Sequence, residues 1–244
     1  MTIIINGACG RMGKALREAA ENANDVTVVG LVDKFAAGEG VAASLDEVDA
    51  KADVIVDFTT HTSAPELCEY AIRTGTALVI ATTGHTDEEM SQIKAASASV
   101  PVFLSANMSL GVAVLRDLVR RAVAMFPDAD VEIVETHHNR KLDAPSGTAL
   151  QLFDSVKAER PDARLVCGRE GQSKREKDEI GMHSLRMGNV VGEHTVYIAT
   201  DNETIALTHT AASRAVFADG ALVAAKHIAG KRPGFYDMTD VLGA

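Results

Sequence analysis

The chain has 244 residues, 46% hydrophobic and 24% charged, which suits one large or two modest domains of ordinary globular composition. A net charge of −10 excludes a general nucleic-acid role, because phosphate binding needs a basic surface, and an anionic small ligand would need a local cluster of cations. Three cysteines (Cys9, Cys68, Cys167) without metal-site spacing, no bilayer-length apolar run and no signal-like N-terminus predict reduced thiols in a cytoplasmic protein off the membrane.

Ile3-Ile4-Ile5 predicts a buried first strand, and Gly7-Ala8-Cys9-Gly10-Arg11-Met12-Gly13 a glycine turn opening a helix that runs through Ala20. Three glycines at this spacing allow a tight turn and the approach of a pyrophosphate to a helix N-terminus. The spacing is not the common G-x-G-x-x-G, so the flanking strand and helix carry the inference. A second apolar run, Val26 to Val32, ends in Asp33-Lys34, where an acidic residue holds a ribose 2′-hydroxyl and a lysine can instead neutralise a 2′-phosphate. Use of both NADH and NADPH is the expectation. Strands at Asp53 to Phe58, Ala77 to Ile80 and Pro101 to Leu104 alternate with helices at Ala64 to Arg73 and Asp87 to Ala96, predicting a parallel, Rossmann-like α/β sheet. Ligands bind beyond the carboxyl ends of such strands, here Thr59-Thr60, Thr82-Thr83-Gly84 and Ser105-Ala106-Asn107-Met108. Ordinary capping explains each of these equally well.

A helix from Leu110 to Phe126 follows, ended by Pro127, and then a strand from Val131 to Val134. The next stretch, Glu135 to Thr148, holds His137, His138, Arg140 and Lys141 between that strand and a helix from Thr148 to Glu159. Ser146-Gly147-Thr148 adds hydroxyls and helix N-terminal N–H groups suited to an anion. Proton donors, cations and an anion-binding turn together mark the candidate active site. Beyond it the pattern changes to strands at Ala163 to Cys167, His183 to Met187, His194 to Ala199 and Thr204 to Thr210, the last two joined as a hairpin at Asp201-Asn202. Bunched strands predict a separate α+β unit, and the charged run Arg169 to Ile180 a mobile loop. A final helix spans Ala215 to Ala229. His183, His194 and His209 read as hydrogen-bonded structural residues, the last two able to support the active site. Cys9 reads as a small packed side chain. No metal site is expected, since zinc would need further ligands and Lys141 is a poor neighbour for a dication.

In order along nearly the whole chain, Gly7 to Gly13, Thr82-Thr83-Gly84, His137 to Thr148, Val191 to Thr195, Thr208-His209 through Arg214 and Phe235 to Met238 resemble the 4-hydroxy-tetrahydrodipicolinate reductase (dihydrodipicolinate reductase) family. The central motif is highly specific. The resemblance implies a dinucleotide-binding domain of residues 1–108 and 215–244, an inserted substrate and oligomerisation domain of residues 109–214, and a homotetramer. It implies a cyclic dicarboxylate substrate, His137 and Lys141 as the catalytic pair, and His138, Ser146, Gly147 and Thr148 as substrate contacts. Gly7, Ala8, Cys9, Gly10, Arg11, Met12, Asp33, Lys34, Ala81, Thr82, Thr83, Ser105, Ala106, Asn107 and Met108 match cofactor contacts. Ala81 stands where the family usually has glycine, and Met108 where an aromatic is common. In such a reaction a conjugated imine accepts hydride and then a proton, for which Lys141 and His137 are both suitable donors.

Overall fold

The computed structural model describes residues 1–243 and divides into two compact units, Met1–Leu110 with the chain from Arg214 onward, and Gly111–Ser213. In chain order the first unit begins with β1 (Thr2–Asn6), α1 (Arg11–Glu21), β2 (Thr27–Val32), β3 (Val41–Ala42), β4 (Val54–Asp57), α2 (Ala64–Thr74), β5 (Ala77–Ile80), α3 (Asp87–Ala96) and β6 (Pro101–Leu104). Then come α4 (Leu110–Met125), β7 (Asp130–His137), α5 (Gly147–Glu159), β8 (Arg164–Cys167), β9 (Glu179–Arg186), β10 (Gly192–Ala199) and β11 (Thr204–Ala211). The chain ends with α6 (Ala215–Ile228), β12 (Gly234–Tyr236) and α7 (Met238–Val241).

The first unit is the expected parallel sheet, in the order β12-β6-β5-β4-β1-β2-β3. Its strands are continuous apolar runs because helices cover both faces, and Ile3, Ile4, Ile5, Val54, Ile55, Val56, Leu78, Val79 and Ile80 are all buried. Strand order turns at β1, which has β2 on one side and β4 on the other, so the carboxyl ends of β1 and β4 open a ligand crevice. Two short elements escape sequence patterning: β3 has two residues and β12 three, too few to show a period. β12 adds to the sheet after α6, pairing Gly234 with Pro101.

The second unit is a mixed sheet, β11-β10-β7-β9-β8, with β7, β9 and β8 mutually parallel, β10 antiparallel to β7 and β11 antiparallel to β10. Leu115, Val119 and Val123 of α4 and Leu152 and Val156 of α5 pack on one face, against Val131, Ile133, Ile180, Met182, Val196 and Ile198. The expected loop Arg169 to Ile180 is irregular chain through Asp178, and only its last two residues belong to a strand. β9 already starts at Glu179, and Arg175 anchors the segment by donating to Asp130 Oδ1 at 2.8 Å, Val131 O at 3.2 Å and Glu179 O. A half-buried guanidinium with that many acceptors ties the polar loop to β7 and β9.

Candidate active site

The second unit's site arises from a change of chemistry along one sheet face. Successive strand residues alternate sides, so Val131, Ile133, Glu135 and His137 of β7 share the helix-covered face. The first two join the apolar core, and the last two do not. Register places Ser184 of β9 and His194 of β10 beside Glu135, and Arg186 of β9 beside His137. The core thus ends in a layer of ionisable groups at the carboxyl end of β7.

Glu135 is fully buried, and both its oxygens are held. Arg186 Nη1 donates to Oε2 and Nη2 to Oε1, each at 2.8 Å, the planar two-point pairing that suits a guanidinium and a carboxylate. His137 Nδ1 lies 2.5 Å from Oε2, and the Ser146 backbone N–H donates to Oε1 at 3.2 Å. Burial pushes the Glu135 carboxyl upward, but hydrogen bonds from Arg186, Ser184 and His137 outweigh it and hold it at about 2. An ionised carboxylate only accepts, so His137 carries a proton on Nδ1 and presents Nε2 away from Glu135. Gly192 leaves room there, since a Cβ at that position would sit 3.2 Å from Nε2.

Around this layer the expected residues gather. Ser146 is the N-cap of α5, its Oγ accepting from Ala149 N at 3.2 Å and bonded to His194 Nε2 at 3.1 Å. Its hydroxyl and N–H are therefore used within the protein, and Gly147 and Thr148 form the first turn at the positive end of the helix. Lys141 reaches Asp143 Oδ2 at 2.9 Å, and that hydrogen bond lowers the Asp143 carboxyl below its ordinary range. Arg186 Nη2 also donates to the Asp143 carbonyl at 2.7 Å, tying the loop to the same guanidinium. His138 is half-buried just past β7, its carbonyl accepting from Lys141 N at 3.1 Å. Burial, and then the neighbouring His137, bring His194 down to about 4, so it is neutral near pH 7. Glu135, His137 and His194 offer ligand atoms within 4.8 Å of one another, but the Arg186 guanidinium already supplies the positive charge at Glu135. Sequence reasoning missed Arg186 and a role for Glu135. The one visible signal was Glu135 and His137 two apart, which share a face only if the strand runs on past Val134.

In the first unit the glycine turn has a steric cause. Gly7 has a φ of 85°, open chiefly to glycine, and a Cβ on Gly13 would lie 2.1 Å from the Gly7 carbonyl oxygen. Close approach of helix and strand follows. Gly10, the N-cap of α1, has no side chain to cap the helix, which leaves the α1 N-terminus suited to a phosphate. Beside it is a cavity of about 210 Å³ whose lining includes Gly7, Gly10, Asp33, Lys34, Thr60 and Glu66. Asp33 accepts from Cys9 N at 3.0 Å and from Phe35 N and Ala36 N, and Lys34 pairs with Glu66 at 3.2 Å. The strand-end residues are largely engaged with one another. Thr82 donates to the buried Asp57 at 2.6 Å and accepts from Thr59 N, Ser105 and Asn107 bond within their own turn, and Met108 is buried. Ala8 is buried, Ala81 half-buried and Thr83 exposed, while Arg11, Met12 and Ala106 lie in the same turns. The residue types that suit a dinucleotide are present: a glycine turn, an uncapped helix start and an acid–lysine pair after β2.

Comparison with known proteins agrees with both halves. Residues 1–108 match the family model "Dihydrodipicolinate reductase, N-terminus" and residues 111–242 its C-terminal counterpart. The 4-hydroxy-tetrahydrodipicolinate reductase of Caldanaerobacter subterraneus subsp. tengcongensis is 44% identical over 98% of this chain and 97% of its own. That of Aquifex aeolicus is 43% identical, covering 99% and 98%. A dipicolinate-bound dihydrodipicolinate reductase from Paenisporosarcina sp. TG-14 superposes with a TM-score of 0.83 at 25% identity, over 97% of each chain. An amine dehydrogenase from Mycobacterium smegmatis shares the fold alone, at 11% identity and a TM-score of 0.65, over 96% of this chain and 94% of its own. With both family models matched and close relatives aligned end to end, the chain belongs to the dihydrodipicolinate reductase family.

Proposed function

We infer that this chain catalyses the NAD(P)H-dependent reduction of 4-hydroxy-tetrahydrodipicolinate, by way of dihydrodipicolinate, to tetrahydrodipicolinate, in the diaminopimelate route to lysine. The observation that carries this reading is the buried His137–Glu135–Arg186 arrangement next to Lys141 and the α5 N-terminus. A nicotinamide nucleotide, held by the glycine turn, supplies the hydride. The chain's own task is then to bind a flat dicarboxylate and deliver one proton. The first turn of α5, at Gly147 and Thr148 with Ser146 as its cap, suits one carboxylate, and His138 the other end of the ligand. The Lys141 ammonium and the doubly protonated His137 ring, which gives up Nε2–H and keeps Nδ1–H on Glu135, are the proton donors, and Lys141 also stabilises negative charge that develops as the hydride arrives. Lys141 is paired with Asp143, so a bound carboxylate competes with Asp143 for it.

Both NADH and NADPH serve, with NADH ahead, because Glu66 partly neutralises the Lys34 that a 2′-phosphate would use. Residues 1–108 with 215–244 act as the nucleotide domain and residues 109–214 as the substrate and oligomerisation domain of a cytoplasmic homotetramer. Support for self-association is the sheet face opposite α4 and α5, on which Leu185 and Tyr197 are exposed. No described helix is long and apolar enough to cross a membrane.

The test follows NADH and NADPH oxidation by absorbance, with substrate generated from pyruvate and aspartate semialdehyde. Oxidation that requires both precursors is the expected result. His137→Gln and Lys141→Ala should each lower kcat by about a hundredfold or more while NADH still binds. Near-wild-type rates in both variants would remove the assigned roles.

A further inference from the structure

Glu135 faces no solvent, so its carboxylate cannot itself touch a ligand, yet three parts of the proposed site end on it or on its partner. The His137 ring meets Oε2 through Nδ1, the Ser146 N–H at the start of α5 meets Oε1, and Arg186 meets both oxygens. The same guanidinium holds the Asp143 carbonyl, two residues from Lys141, while the Asp143 carboxylate holds Lys141 Nζ. One ion pair therefore connects a strand end, a loop and a helix N-terminus. Burying two charges is costly, and such a pair contributes little net stability compared with apolar residues of equal volume. Its geometry does something that apolar packing cannot: an acceptor-only carboxylate keeps a proton on Nδ1 of His137, so the outward Nε2 is the atom that takes up and gives the transferred proton.

We propose that Glu135 and Arg186 are positioning residues for the reduction, fixing the His137 tautomer, the Lys141 loop and the α5 N-terminus as one donor set. This rests on the functional reading above. The two act through His137, Lys141 and Ser146 rather than on substrate. Their loss should weaken the chemical step more than binding, because a misplaced donor is felt most where the proton moves. Arg186 pairs with Glu135 across a β-ladder, 51 residues along the chain, which explains why no local motif shows it.

The deciding experiment is Glu135→Gln in the full-length enzyme, a change that keeps volume but lets the side chain both donate and accept. Steady-state kinetics should show kcat reduced by about a hundredfold or more, with KM for the imine precursor within about threefold and NADH affinity unchanged. In the same protein, imidazole 15N spectra, with His137 assigned by its loss in His137→Gln, should show a single Nδ1–H tautomer in the unsubstituted enzyme and a mixture in the variant. A merely structural role would move thermal stability and leave that tautomer alone. A kcat within about threefold of the unsubstituted enzyme, or an unchanged tautomer, overturns the proposal. Should Glu135→Gln fail to fold because Arg186 is left unpaired, the double variant Glu135→Gln/Arg186→Gln removes both charges and is judged by the same two readouts. Absence of turnover in the unsubstituted enzyme would count against the functional reading, whereas the tautomer spectra would still judge the clamp.

Discussion

Lys34 illustrates how a single charge can be present yet already committed. Its ammonium stands in the cavity beside Asp33 but pairs with Glu66 of α2 at 3.2 Å. Both side chains are more than half exposed, so the pair itself contributes little stability, and its consequence is the local charge in that cavity. Glu66→Gln should raise kcat/KM for NADPH relative to NADH by roughly three- to tenfold at low ionic strength, and the gain should shrink at 0.5 M salt. Initial rates with each nucleotide decide it; an unchanged ratio at low salt would free Glu66 from any part in selectivity. Asp33 and Lys34 were legible as a strand-end pair. Glu66 was not, because nothing in the Ala64–Thr74 helix pattern says which strand end it will face.

At the scale of elements, the glycine turn and the strand-to-histidine transition show what packing adds. α1 approaches β1 so closely that Gly13 has no room for a side chain. Gly13→Ala should therefore shift the turn, cost about 1–3 kcal/mol of stability and weaken NADH binding, all readable from urea unfolding and nucleotide fluorescence. An equally tight complex in that variant would mean that the turn is not the phosphate cradle. β7 carries the other lesson. A strand ending at Val134 leaves His137 in a loop, whereas the observed Asp130–His137 strand puts Glu135 and His137 on the covered face. Polar residues at the end of an apolar strand look like its termination, and only neighbouring strands supply the partners that let them continue it. The segment between β8 and β9 behaves similarly. Arg175→Ala removes its bonds to Asp130 and to the Val131 and Glu179 carbonyls, so amide exchange in residues 168–178 should speed up by at least about tenfold, with little change in kcat.

For the whole molecule, stability should fall with acid more steeply than ordinary surface carboxylates would cause. The Glu135 carboxyl is held at about 2, below the ordinary 4.5, so its stabilisation is present above pH 4.5 and is lost as pH drops through that window. A shift of this size is worth roughly 3 kcal/mol. His194, brought by burial to about 4 from 6.5, adds a loss that begins earlier, as pH falls below 6.5, because folding favours its neutral form. Asp57 works in the opposite sense: burial raises its carboxyl, so its contribution is greatest below pH 3.8 and declines as pH rises through its folded value. Urea midpoints measured from pH 7 to pH 3 should fall steadily in the unsubstituted protein and less steeply in Glu135→Gln. Parallel curves would deny Glu135 that role.

By itself the sequence determined the parallel α/β sheet, the bunched strands of the second half, the glycine turn and the family. Each of these is written in runs of about ten residues, as a period, a spacing or a motif along the chain. Only the tertiary structure decided which groups meet. Arg186 reaches Glu135 and His137 through the register of β9 on β7, and His194 reaches Ser146 through that of β10. Asn6 and Thr82 both donate to Asp57 because three parallel strands end side by side. A residue's neighbours across a sheet depend on strand order and register, which are set by the burial of whole faces rather than by any local pattern.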